Sequence, residues 1–186
     1  MSFYLYNKPN FSIADRPMTV SYNFNEPSTL FNGMISPLIP YTMKGVVWYQ
    51  GENNAFRHEE YGELFSLLIS DWRSKWDNDF SFYYVQIAPY FNYYNSNAPL
   101  REVQRKALEV PKTGMVVTLD IGEKYDIHPS NKHDVGFRLA RYALKNDYKI
   151  DLIDSGPLYM SQSIHEDVIK VFFKHFGDGL VLDENR

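Results

Sequence analysis

Gly45-Val46-Val47-Trp48-Tyr49-Gln50-Gly51-Glu52-Asn53-Asn54 decides how this chain folds. Its first half is a short apolar run of β-branched and aromatic residues bounded by glycine, the signature of a buried strand. Its second half turns abruptly polar. Residues 58–76 read as a helix, so 50–54 form a strand-to-helix turn. In open α/β sheets, ligands bind beyond the carboxyl ends of the strands, where such turns lie. The amide of Gln50, the bare backbone of Gly51, the carboxylate of Glu52 and the neighbouring Asn53 are therefore candidate site groups. A polar turn that only caps the helix is the competing reading.

Downstream, Tyr61, Leu64, Phe65, Leu68, Ile69 and Trp72 fall at i, i+3, i+4, i+7, i+8 and i+11, one continuous face of an amphipathic helix. Residues 80–88 are aromatic and β-branched and stop at Pro89, which predicts a second strand. Residues 92–98 are a polar loop. Leu100, Val103, Ala107 and Leu108 mark another helix, ended by Pro111 and Gly114. Residues 115–121 predict a third strand and 122–130 a loop. Residues 131–145 predict a helix with Val135, Leu139, Tyr142 and Ala143 facing inward. Strands alternating with helices imply an α/β fold, a parallel sheet with helices on both faces.

Upstream, residues 1–29 show no sustained period and read as an irregular arm. A turn is expected at Asn32-Gly33, then a short irregular helix interrupted by Pro37 and Pro40. From residue 154 the pattern becomes β-rich. Residues 157–161 and 167–175 read as strands, with His165-Glu166-Asp167 as the turn between them. The division is thus 1–153, an α/β domain portion, and 154–186, a β-rich tail that begins an accessory region.

A chain of 186 residues suits one domain and can bury a sizeable core. Hydrophobic content of 44% and charged content of 23% are those of an ordinary globular protein. Net charge is −4 with no Lys/Arg stripe, which argues against nucleic acid as the partner. No apolar stretch approaches the roughly 18 residues that span a bilayer, so no membrane partner is expected. Residues 1–10 lack the basic start and apolar core of a signal peptide. The absence of cysteine excludes thiolate catalysis and zinc–thiolate sites. Aromatic content is high, with 15 Tyr and 13 Phe, a composition compatible with sugar handling but also with cores and interfaces.

A second polar cluster runs Asp120-Ile121-Gly122-Glu123-Lys124-Tyr125-Asp126-Ile127-His128-Pro129-Ser130-Asn131-Lys132-His133-Asp134. In extended backbone Asp126 and His128 project to one side. A carboxylate beside an imidazole fixes its tautomer and stabilises the imidazolium, as an acid–base histidine requires. A capped helix entry with a surface histidine is the alternative. Asp126, His128, His133 and Asp134 also offer ligand types for a metal-dependent hydrolase, but their spacing matches no zinc-helix motif. No metal and no cofactor is expected.

Several of these segments in order resemble the sialate O-acetylesterase family, a branch of the SGNH (GDSL-like) hydrolases. They are Pro27-Ser28-Thr29-Leu30-Phe31-Asn32-Gly33-Met34-Ile35, Trp48-Tyr49-Gln50-Gly51-Glu52, Asp71-Trp72-Arg73, Asp126-Ile127-His128-Pro129 and Ser155-Gly156-Pro157-Leu158-Tyr159. The resemblance implies a flavodoxin-like sheet and a carbohydrate O-acetylesterase that hydrolyses acetyl esters on sugars, sialic acid or a plant-type polysaccharide, through a Ser-His-Asp arrangement. It implies His128 as general base and acid, with Asp126 as the orienting carboxylate and Asp120 or Asp134 as alternatives. Gln50 resembles the side-chain oxyanion donor, Gly33 is a candidate backbone donor, and Glu52 braces the turn. For the full-length family member it implies a periplasmic or secreted location.

One departure is large. The family's nucleophile lies in a Gly-Gln-Ser-Asn-Met-type turn, and no serine here has that setting. The chain is therefore expected to carry the C-terminal part of the catalytic domain and to be inactive alone. Its incomplete sheet would leave an open edge, which calls for self-association or for the missing N-terminal segment. A non-catalytic carbohydrate-binding remnant, using Tyr90, Phe91, Tyr93 and Tyr94, is the rival reading.

Overall fold

The computed structural model describes residues 28–91 and 97–180; the expected arm at 1–29, except its last two residues, and residues 92–96 of the polar loop at 92–98 lie outside them. Three parallel strands run in the order β1 (Gly45–Trp48), β2 (Ser81–Val85) and β3 (Thr113–Val116). Helix α1 (His58–Trp76) joins β1 to β2, α2 (Asn97–Lys106) precedes β3, and α3 (Lys132–Asn146) follows it. A separate antiparallel hairpin, β4 (Leu158–His165) and β5 (Val168–Lys174), closes the described chain. The α/β class and the β-rich tail are as the sequence pattern predicts.

Every residue of β2 is buried, because helices cover both faces of this central strand. Side chains alternate along it. Phe82 and Tyr84 enter a core with Tyr61, Phe65 and Ile69 of α1 and Leu100 of α2. Tyr83 points the other way, stacks on Tyr142 of α3 at 5.5 Å, and shares a second core with Val116. Full burial of each such side chain contributes about 1.5–3 kcal/mol. The predicted stripe on α1 is the packed one. Arg73 links this helix to the sheet, since its guanidinium donates to the carbonyls of Phe80 and Lys112 at 3.0 and 3.2 Å.

The third strand differs from the predicted 115–121. It starts earlier because Thr113 and Gly114 pair with Phe82 and Tyr83, and it stops at Val116 because β2 ends at Val85. Beyond that point Val117 and Leu119 are exposed. Gly114 therefore lies inside a strand rather than after a helix. A Cβ there would come within 2.5 Å of the Tyr142 ring, so the close approach of α3 requires glycine. The expected Asn32-Gly33 turn is also different. Both residues sit within one wide helical turn, Phe31–Ile35, followed by a tight turn at Ser36–Leu38.

Along β1 the burial alternates, and Val47 is 65% exposed on the face opposite α1. Among the described residues β1 is an edge strand.

Candidate active site

The chain leaves β1 through Tyr49 and Gln50 and turns at Gly51, whose φ of +153° glycine alone tolerates well. A Cβ at Gly51 would lie 3.0 Å from Ile87 Cγ2 and 3.1 Å from Gln104 Nε2. The turn is packed from beneath as well as bent.

Two donors hold the Gln50 carbonyl, Tyr61 Oη at 3.1 Å and Gln104 Nε2 at 3.5 Å. Burial pushes the Tyr61 hydroxyl up to about 12, so it stays a donor at neutral pH. Gln104 is 1% exposed and is fixed in turn. Its Oε1 accepts from the Ile87 amide at 3.0 Å and its Nε2 donates to the Val85 carbonyl at 3.3 Å. One buried amide on α2 thus ties the carboxyl ends of β1 and β2 together. Sequence reasoning missed Gln104. The available signal was its place at i+4 from Leu100 within the Leu100, Val103, Ala107 stripe, a polar residue on an apolar face.

The side chain of Gln50 is half-buried, and its Nε2 donates to Asn54 Oδ1 at 2.7 Å. A primary amide carries two N–H groups, so that bond orients the donor and leaves a second hydrogen. Gln50 and Asn54 line a cavity of about 470 Å³ together with Tyr61, Asp71 and apolar groups such as Leu30, Met34, Trp48 and Trp72. Glu52 opens the short helix Glu52–Arg57, with Asn53 exposed after it. Burial and then the Glu52 carboxylate raise the Tyr49 hydroxyl above its usual 10. Asn32 and Gly33 are exposed and are not among the residues lining this cavity.

The second cluster reaches the first through Lys132, whose Nζ lies 5.1 Å from the centre of the Tyr49 ring. Lys132 is the first residue of α3, directly after the helix cap. Asn131 Oδ1 accepts from the Asp134 amide at 3.1 Å, and Asn131 Nδ2 donates to Asp134 Oδ2 at 2.8 Å. Asp134 is thereby occupied at the helix entry, and the hydrogen bond from Asn131 Nδ2, with one from His133, holds its carboxyl below the usual range. Asp120 is gripped by Arg138 through two bonds of 2.8 and 2.6 Å.

Asp126 and His128 are both exposed. The Asp126 carboxylate accepts from the backbone amide of His128 at 2.8 Å, so it braces the turn that carries the imidazole. Glu123 completes the loop, with Oε1 accepting from the Ser130 amide and hydroxyl, each at 2.7 Å. Those two bonds lower the Glu123 carboxyl from its usual 4.5. Asp126, His128, His133 and Asp134 do not gather into a metal-ligating cluster. Among the described residues no group of three or more such side chains does. Nor is any helix of the described chain long and apolar enough to cross a membrane.

The described serines have other settings. Ser66, Ser70 and Ser74 are within α1, Ser36 is in a tight helical turn, and Ser81 donates to Asp147 at 2.6 Å. Ser155 lies 2.8 Å from His175 Nδ1, which fastens β5 to the segment before β4.

The family model described as carbohydrate esterase, sialic acid-specific acetylesterase, matches residues 18–145. Sialate O-acetylesterase of Mus musculus is 34% identical over 154 residues, covering 70% of this chain and 28% of that protein. The Homo sapiens sialate O-acetylesterase is 31% identical over 154 residues, covering 70% and 29%. The crystal structure of a carbohydrate acetylesterase from Xanthomonas citri superposes with a TM-score of 0.77 at 38% identity, covering 82% of this chain and 37% of that one. The chain thus spans under a third of the sialate O-acetylesterases it matches. With its motifs on the carboxyl ends of a parallel sheet and its sequence matched over residues 18–145, this chain belongs to the sialic acid-specific acetylesterase family of carbohydrate esterases.

Proposed function

We propose that the chain supplies the acid–base and oxyanion-binding part of a carbohydrate O-acetylesterase acting on acetylated sugars such as sialic acid. One observation carries the reading. Lys132, the first residue of α3 and four positions after His128, lies against Tyr49, the neighbour of Gln50, and this contact supports the reading. Family membership supplies the reaction class.

In this reading a serine hydroxyl attacks the acetyl carbonyl while His128 takes its proton. The second N–H of Gln50 Nε2 donates to the developing oxyanion, a role that needs an amide held before the reaction begins. The bond to Asn54 and the grip on the Gln50 carbonyl supply that order. His128 then returns the proton to the departing sugar hydroxyl, and water, activated by the same imidazole, releases acetate from the acyl-serine. Asp126 is the orienting carboxylate of this reading, acting on the turn that carries His128 through the His128 backbone amide, while Asp120 is held by Arg138 and Asp134 by the α3 cap. Glu52 and Asn53 belong to the turn that frames the oxyanion donor.

The serine comes from a part of the family domain outside this chain, and the chain alone does not turn over esters. The settings of its described serines favour this reading. Acetate release from an O-acetylated sialic acid tests the reading, measured in a protein joining this chain to a serine-bearing family segment. His128→Ala should lower kcat by about 10⁴ or more with the fold intact. Near-normal turnover by that variant would remove His128 from the mechanism.

A further inference from the structure

Helix α3 holds the His128 loop at both ends. Its first turn takes the closing end, where Asn131 Oδ1 accepts from the Asp134 amide. Arg138, one turn further along the same helix, reaches back to the opening end. Its Nη1 donates to the Val117 carbonyl at 2.6 Å and to Asp120 Oδ1 at 2.8 Å, and its Nη2 donates to Asp120 Oδ2 at 2.6 Å. Val117 lies just beyond β3, where the ladder to β2 has ended, so its carbonyl needs a partner from elsewhere.

Between these ends the bonds are short-range. The Ile121 amide donates to the Thr118 carbonyl and the Asp126 amide to the Glu123 carbonyl, each at 3.3 Å. The Asp126 and Glu123 carboxylates accept from the His128 and Ser130 amides. Two bonds tie the loop to other parts of the domain, Thr118 Oγ1 to the Gln86 carbonyl and the Phe91 amide to the Lys124 carbonyl, each at 2.8 Å. Neither reaches α3. The Arg138 and Asp120 side chains are 32% and 45% exposed, so solvent screens their attraction and the pair adds little stability. A guanidinium fork on a carboxylate nevertheless fixes direction as well as distance, and the third bond fastens that fork to the backbone.

We propose that Arg138 is a positioning residue of the His128 loop: clamped on Asp120 and the Val117 carbonyl, it holds the opening of the loop against the helix that its closing end begins, and so sets the frame that carries the imidazole. The proposal rests on the reading of His128 as the acid–base group, but the clamp itself is tested without turnover.

The first arm of the experiment is amide hydrogen exchange in the 186-residue chain. Arg138→Met keeps the apolar stem and removes the fork. The amides of Ile121, Asp126, His128 and Ser130 should exchange at least about tenfold faster, with those of α1 and β2 at wild-type rates. Asp120→Asn should act in the same direction. The second arm is acetate release from an O-acetylated sialic acid by this chain joined to a serine-bearing family segment. There Arg138→Met should lower kcat by about 10–100-fold with KM within about twofold, the scale on which a small misplacement acts. Adding Asp120→Asn should cost little more, because both changes sever one contact. Wild-type exchange at the four amides in Arg138→Met, or a loosened loop with kcat unchanged, would overturn the proposal. So would faster exchange throughout α1 and β2 in both single variants, which would make the pair a support of the whole fold. Near-normal turnover by His128→Ala, with the loop still loosened by Arg138→Met, would remove the catalytic reading of His128 and leave the clamp on its loop in place.

Discussion

Lys132 and Tyr49 lie 83 positions apart and meet with the lysine Nζ 5.1 Å from the ring centre. Tyr49 precedes the oxyanion candidate and Lys132 follows the histidine loop, so the contact spans the two halves of the site. Cation–π contacts at exposed positions contribute about 0.5–1 kcal/mol. The contact sets geometry more than stability. Lys132→Gln should lower kcat a few-fold in an esterase assembled around this chain, and Lys132→Arg should recover most of it. Stability of the two variants, followed by thermal melting, should stay close to wild type.

Gly51→Ala should destabilise the fold by about 1–3 kcal/mol, combining positive-φ strain with crowding. The added methyl would meet Ile87 and Gln104, the groups that hold the turn. Urea unfolding measures the loss.

Gln50→Ala should reduce kcat by about 10²–10³ with little change in KM, as removal of one oxyanion donor does. A rise in KM alone would make Gln50 a substrate contact. The backbone anchors of the turn go to the Gln50 carbonyl and not to its side chain, so the fold should survive.

The Glu123 carboxyl is held below 4.5 by its bonds to Ser130. Because its folded value is depressed, its contribution is present above the unfolded carboxylate value and is lost as pH falls through the folded one. Hydrogen exchange at the Ser130 amide should therefore accelerate below about pH 4.5 beyond the intrinsic pH dependence. Glu123→Gln should show fast exchange already at pH 7.

Much of this was readable before any coordinates. The 3.6-residue period of Tyr61, Phe65 and Ile69 is long enough to specify α1, and the apolar run ending in Trp48 specifies β1. The limits of β3 were not readable, because a strand ends where its partner ends, and Val85 lies far away in sequence. The anchoring of Gln50 by Gln104 was hidden for the same reason, since their 54-residue separation is closed only by packing. Alternation predicted Asp126 and His128 on one side, but the segment is a turn rather than extended backbone. Alternation could not tell whether the carboxylate takes the imidazole or the backbone amide, a choice set by the turn between them.

The most direct test of the catalytic assignment is stoichiometric labelling with a serine-directed fluorophosphonate, read by intact mass. The 186-residue chain alone should take up no label and show no acetate burst with an activated acetyl ester. Joined to a family segment bearing a Gly-x-Ser-Asn turn, it should take up one label on that serine, and His128→Ala should slow the labelling sharply. Stoichiometric labelling of a serine in the isolated chain, or labelling indifferent to His128, would contradict the account.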